Sequence, residues 1–136
     1  MNVNLPELIR DYAEDEWHDY LYYSQLAEKV ATAEQREMVL GFARDEYRHA
    51  NALAAYYCQL TGRYPYLAPY QPRPISDNLE EVFLARVPPE SGDIQKYKEL
   101  YLMTRDPQLR DIAFNAMMDE TQHSIRLLYL AEQADK

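Results

Sequence analysis

Apolar and aromatic residues recur along this chain at alternating steps of three and four, the signature of helices that bury one face. Four segments carry it. The first, about residues 5–31, presents Ile9, Tyr12, Glu16, Tyr20, Tyr23, Ala27 and Val30 on one side, with Asn4 as its cap and Pro6 in the first turn. The second, about 33–60, presents Val39, Phe42, Glu46, His49, Leu53, Tyr56 and Leu60; Thr32 and Gln35 form a capping box at its start and Thr61-Gly62 supplies the stop. The third, about 89–105, presents Glu90, Ile94, Tyr97, Tyr101 and Thr104. The fourth, about 107–133, opens at Asp106-Pro107 and presents Leu109, Ala113, Ala116, Glu120, His123, Leu127 and Leu130.

Between the second and third segments the pattern changes. Residues 62–88 form a proline- and tyrosine-rich crossover, with a short helical stretch around 76–86. The first two segments adjoin almost directly, as do the last two, so each pair is a helical hairpin. The expected fold is all-α: an antiparallel four-helix bundle of two hairpins in a single domain, 1–136.

The hairpins are related to each other. An offset of 74 lays residues 16–60 on 90–134 without a gap, with ten identities. Among them Glu16 meets Glu90, Asp19 meets Asp93, Tyr23 meets Tyr97 and Arg36 meets Arg110. Asp45-Glu46-x-x-His49 meets Asp119-Glu120-x-x-His123. A repeat that shares its polar residues predicts a pseudo-twofold site.

The chemistry follows from where those residues fall. Every stripe is apolar or aromatic except at the level of a Glu, or a Glu with a His. A carboxylate buried there costs several kcal/mol unless something neutralises it, and no Lys or Arg lies on the predicted stripes. Metal cations are the expected answer. Residues i and i+3 share a helix face, so each Glu-x-x-His offers an oxygen and a nitrogen to one ion. Oxygen-rich ligation with one nitrogen per ion suits Fe(II) or Mn(II) better than zinc. The ligand set is Glu16, Glu46, His49, Glu90, Glu120 and His123, with Asp93 the substitute for Glu90 because Pro88-Pro89 places Glu90 at a helix start. Asp19 is a further spare ligand. Tyr23 and Tyr97, seven residues after Glu16 and Glu90, are candidates to hydrogen-bond ligand carboxylates. Asp45 and Asp119 are candidates to orient the imidazoles. His18 lies off the stripe and reads as a surface residue.

Composition narrows the partners. A net charge of −9 over 136 residues argues against nucleic acid. No run of ~18 apolar residues suggests a membrane span, and the N-terminal residues do not read as a secretory signal, so the expected location is the cytoplasm. One cysteine, Cys58, excludes a multi-cysteine iron–sulfur or rubredoxin-type site within the chain.

On Glu16, Asp45-Glu46-x-x-His49, Glu90, Asp119-Glu120-x-x-His123 and the Glu-x6-Tyr spacing to Tyr23 and Tyr97, the chain resembles the ferritin-like superfamily, most closely the rubrerythrin bundle domain. The resemblance implies two iron ions, with manganese the alternative, bridged by Glu46 and Glu120 and held terminally by Glu16, His49, Glu90 and His123. It implies reduction of hydrogen peroxide. The cysteine-rich rubredoxin domain of rubrerythrins has no counterpart here, so electrons would come from a separate, rubredoxin-like donor. Two other readings accompany it: a ferroxidase using dioxygen to handle iron, and a non-catalytic metal-binding protein of the spore-coat or encapsulated-cargo kind. A homodimer is expected, with the tyrosine-rich crossover, residues 62–74, as its interface.

Overall fold

Two asparagines, 74 positions apart, start two helices in the same way. In the computed structural model, which describes residues 3–135, the Asn4 side chain accepts a hydrogen bond from the Glu7 amide (3.1 Å) and Asn78 accepts one from Glu81 (3.2 Å). Each satisfies an amide that a helix start leaves without an intrahelical acceptor. Asn4 opens α1 (Leu5–Ala27) and Asn78 opens α3 (Leu79–Met103). A complete Thr32/Gln35 capping box opens α2 (Ala33–Thr61). Pro107 begins α4 (Pro107–Ala134), with Asp106 in the cap position but making no capping bond. The described residues contain no strand, and none of their helices is long and apolar enough to cross a membrane.

The chain falls into two compact units, one up to Pro72 and one from Arg73. In the first, α1 packs on α2. Tyr23 meets Phe42 (ring centroids 5.3 Å apart), Tyr20 meets Tyr47 (5.0 Å) and Glu16 meets His49, so the two helices run in opposite directions. Ile9, Ala13, Leu26, Val39, Phe42 and Leu53 are buried with Tyr23 between them. In the second unit α3 packs on α4, with Tyr101 meeting Phe114 (6.3 Å) and Glu90 meeting His123. Phe83, Tyr97, Leu100, Leu109, Leu127 and Leu130 form its core.

Two helix boundaries differ from the sequence reading. The helix expected to reach residue 31 stops at Ala27, so Val30 leaves its stripe. The Ala31 and Thr32 amides both donate to Gln35 Oε1 (3.0 and 3.2 Å). Those donors serve the start of α2 and are lost to the end of α1, and five residues make the reversal.

The larger difference is α3. It begins at Leu79, not Pro89, and runs through Pro88 and Pro89 without a break. The crossover is therefore 62–78. An interior proline removes a ladder donor and costs about 3 kcal/mol or more. Against this stand the Asn78 cap and the burial of Val82 and Phe83 (8% and 0% exposed), worth roughly 1.5–3 kcal/mol per fully buried side chain. The repeat also extends upstream: Asn78-Leu79-x-Glu81 copies Asn4-Leu5-x-Glu7 at the same offset.

At the far end of α2, Gly62 adopts φ 84° and donates to the Cys58 carbonyl (2.8 Å). That left-handed stop favours glycine. Beyond it the crossover lies along α1. Glu14 accepts from the Ala68 amide, His18 Nε2 donates to the Ala68 carbonyl (2.7 Å), and Tyr70 donates to Gln25 Oε1 (3.2 Å). His18 is thus half-buried and holds the crossover, correcting its assignment to the surface.

Candidate metal centre

Glu46 and His49 sit one helical turn apart on the face of α2 that α1 covers, and α1 brings Glu16 to the same level. His49 Nδ1 is 3.4 Å from Glu46 Oε1 and 3.7 Å from Glu16 Oε2. The second hairpin repeats this with its own residues: His123 Nδ1 is 3.6 Å from Glu120 Oε1 and 3.7 Å from Glu90 Oε2. All four glutamates are fully buried, and the histidines are 5% and 1% exposed. In each hairpin the three side chains offer ligand atoms that lie within 4.8 Å of one another.

These separations are informative. They exceed the 2.7–3.2 Å of a good N–H···O hydrogen bond. Two atoms each ~2.1 Å from one ion stand roughly 3.4–3.7 Å apart at angles from tetrahedral to trigonal, using the bond lengths usual for histidine and carboxylate. Each hairpin therefore presents two carboxylates and an imidazole at the spacing of ligands that share a cation. The donor set fits a divalent metal, and the cost of holding carboxylates out of water is the physical reason to expect one.

Comparison with known protein families, with characterised proteins and with solved structures finds no match. The site is read from its own geometry.

One residue beside it escaped the sequence reading. Arg86, 17% exposed, brings Nη2 to 3.7 Å from Glu90 Oε1. With Pro89 as the helix start that the sequence predicts, Arg86 falls outside the third helix. With α3 beginning at Leu79, Arg86 lies one turn before Glu90 and shares its face. Arg86 thus stands as a cation beside an inward glutamate, where the predicted stripes hold none. The repeat position in α1 is Tyr12, which carries no positive charge. The signal was present in Asn78-Leu79-x-Glu81, which sets the register of α3.

Tyr23 and Tyr97 are fully buried. Asp45 takes the Arg48 guanidinium at 2.9 Å on the exposed side of α2. Asp93, the substitute for Glu90, meets Lys96 at 3.2 Å, whereas Glu90 faces His123. Asp19 and Asp119 are half-buried on their helices. An aromatic group adjoins the first triad: Trp17, next to Glu16, lies 5.2 Å from Tyr20 and 6.2 Å from Tyr47, which follows Glu46 and is 45% exposed.

Proposed function

We propose that this chain is a ferritin-like, rubrerythrin-type protein: an antiparallel four-helix bundle whose two hairpin triads contribute to one two-metal centre, used to reduce hydrogen peroxide with electrons from a separate donor. The observation that carries the reading is the duplicated triad, two buried glutamates around a histidine Nδ1 at 3.4–3.7 Å, found in both hairpins with equivalent residues. A carboxylate-rich centre of this composition suits iron, with manganese the alternative. Glu46 and Glu120 are the bridging candidates, with Glu16, His49, Glu90 and His123 terminal. Iron held by these residues would supply reversible one-electron changes at two ions, matching the two electrons that convert peroxide to two waters.

The chain's own residues account for the remaining requirements. The apolar layers around each triad exclude water, which strengthens every charge interaction inside. Tyr23 and Tyr97 are fully buried seven residues on from Glu16 and Glu90, and in this reading their hydroxyls supply protons to the centre. Tyr47, Tyr20 and Trp17 run from the surface to the residue beside Glu16, giving electrons from the donor an aromatic path inward. One cysteine, Cys58, cannot form a multi-cysteine electron-transfer site, so in this reading the electrons reach the centre from outside residues 1–136.

The test is anaerobic. Protein purified without added metal is analysed for its native metal, then loaded with Fe(II) and mixed with hydrogen peroxide. A prompt oxidation of two irons per peroxide is expected. Rapid reaction with dioxygen and little with peroxide would replace this reading with a ferroxidase. Failure to bind metal would remove the enzymatic reading.

A further inference from the structure

Arg44, Tyr47 and Arg48 lie within one turn of α2 and share its exposed side. Tyr20 of α1 stands against them, its ring centroid 5.0 Å from that of Tyr47 and the two planes tilted by 58°. These four side chains line a cleft of about 430 Å³, a size usual for small-molecule sites. Trp17 adjoins both phenols, 5.2 Å from Tyr20 and 6.2 Å from Tyr47. The hairpin does not require this group. The 74-residue offset puts Ile94, Met118, Thr121 and Gln122 at the four positions of the second hairpin, with neither guanidinium nor phenol among them. Arg44 and Arg48 are also like charges one turn apart, an arrangement that slightly destabilises a helix.

We propose that this cleft binds a mononucleotide-like ligand, an aromatic ring system carrying a phosphate. The ring lies on Tyr47 and Tyr20, and the phosphate lies between Arg44 and Arg48. The pair of cations selects phosphate. One guanidinium matches a carboxylate through a bidentate contact. A phosphomonoester carries close to two negative charges near neutral pH and three acceptor oxygens, and two guanidiniums answer it. The phenols select the ring: stacking on an aromatic side chain strengthens binding by about ten-fold, and Tyr47 is 45% exposed and open to such a contact.

The neighbouring acids do not close the site. Arg48 meets Asp45 at 2.9 Å and Arg44 meets Glu37 at 3.8 Å, with the two arginine side chains 62% and 65% exposed. Ion pairs so exposed hold weakly, and a dianion competes for both guanidiniums at once. The net charge of −9 does not oppose this, because physiological salt screens charges more than about 8 Å away. None of the lining residues belongs to either triad, so the proposal holds whether or not metal is bound. A ring able to carry electrons would sit at the outer end of the aromatic group that leads to Glu16.

Emission from Trp17, the one tryptophan of the chain, reads the cleft directly. Flavin mononucleotide and adenosine monophosphate are titrated into the whole chain, with riboflavin and adenosine as their phosphate-free controls. At least one nucleotide is expected to change the emission saturably, with a Kd below about 1 mM and about ten-fold or more tighter than its control. Arg44→Gln with Arg48→Gln is expected to bring that nucleotide to the affinity of its control. Tyr47→Leu is expected to weaken nucleotide and control alike, by about ten-fold. All three positions are exposed, so the helical circular dichroism spectrum should not change. Treatment with EDTA should leave the Kd of the native chain unaltered. The proposal is overturned if neither nucleotide binds saturably, if each control binds as tightly as its nucleotide, or if binding survives loss of both arginines. It is equally overturned if Tyr47→Leu has no effect, or if EDTA abolishes binding and so places the ligand at the metal centre.

Discussion

Arg86 offers the most direct measurement of how the buried charges are balanced. Its Nη2 lies 3.7 Å from Glu90 Oε1, with Glu90 fully buried and Arg86 17% exposed. Two unit charges at that distance interact by about 4–5 kcal/mol at an effective dielectric of 20. The separation is longer than a close charge-assisted hydrogen bond and the guanidinium keeps some water, so about 2–3 kcal/mol is the expected net loss when Arg86→Gln removes the cation from a buried carboxylate. For a chain of this length that is roughly 7–11 °C in Tm. The decrease is expected in metal-free protein, melted in EDTA. With Mn(II) present the sign of the local effect reverses: a cation bound to Glu90 and His123 no longer feels the guanidinium charge, so it binds more tightly and restores stability in proportion to the logarithm of that gain. The gap in Tm between the metal-loaded and metal-free forms should therefore be wider in Arg86→Gln than in the native protein. An EDTA melting point within about 2 °C of native, or an equal fall with and without Mn(II), would refute the charge-balance account.

His49→Ala and His123→Ala should each lower the metal content of the loaded protein by about half, measured by elemental analysis, because each removes the imidazole of one triad; loss of all metal from either variant would instead favour a single shared ion. Gly92→Ala should stabilise by about 0.5–1 kcal/mol in thermal melts, since Gly92 lies inside α3 and an added Cβ meets nothing within 4 Å. Glu80→Gln should raise the melting temperature slightly near neutral pH and lose that advantage in acid. Glu80 is held above the usual carboxylate range by its hydrogen bond with Asp135, then by the Asp135 charge, burial and Glu81. The folded chain therefore binds that proton more tightly than the unfolded one, and stability falls as pH rises through the raised value. A melting temperature that rises equally at both pH values would contradict this.

Much of each triad was legible in the sequence because the helical period is written locally. Glu46 and His49 sit three apart in a stripe whose other members are Val39, Phe42 and Leu53, and all of these are buried. The same holds for Glu120 and His123 between Ala116 and Leu127. The 74-residue repeat pointed to Glu16 and Glu90 as their companions. Capping chemistry set the start of α2 to the residue, since Thr32-x-x-Gln35 acts on amides within a turn of itself, and Pro107, whose fixed φ suits a first helical turn, set that of α4.

What lay beyond reach depended on partners distant along the chain. Pro88-Pro89 read as a helix start because the local cost of proline is visible in sequence, while the offsetting burial of Val82 and Phe83 against another helix is not. That one boundary concealed Arg86, and with it the positive charge beside Glu90. His18 read as exposed because its acceptor, the Ala68 carbonyl, belongs to the crossover fifty residues away. The apolar residues on the outer side of α4 did not stand out from those on the inner side, for a helical wheel records spacing and only packing decides which face is covered. The sequence alone determined the helices, their inward carboxylates and the duplication. The folded chain decided how far α3 extends, which cation stands beside Glu90 and which apolar stripe remains at the surface, because each depends on burial by segments the local pattern does not name.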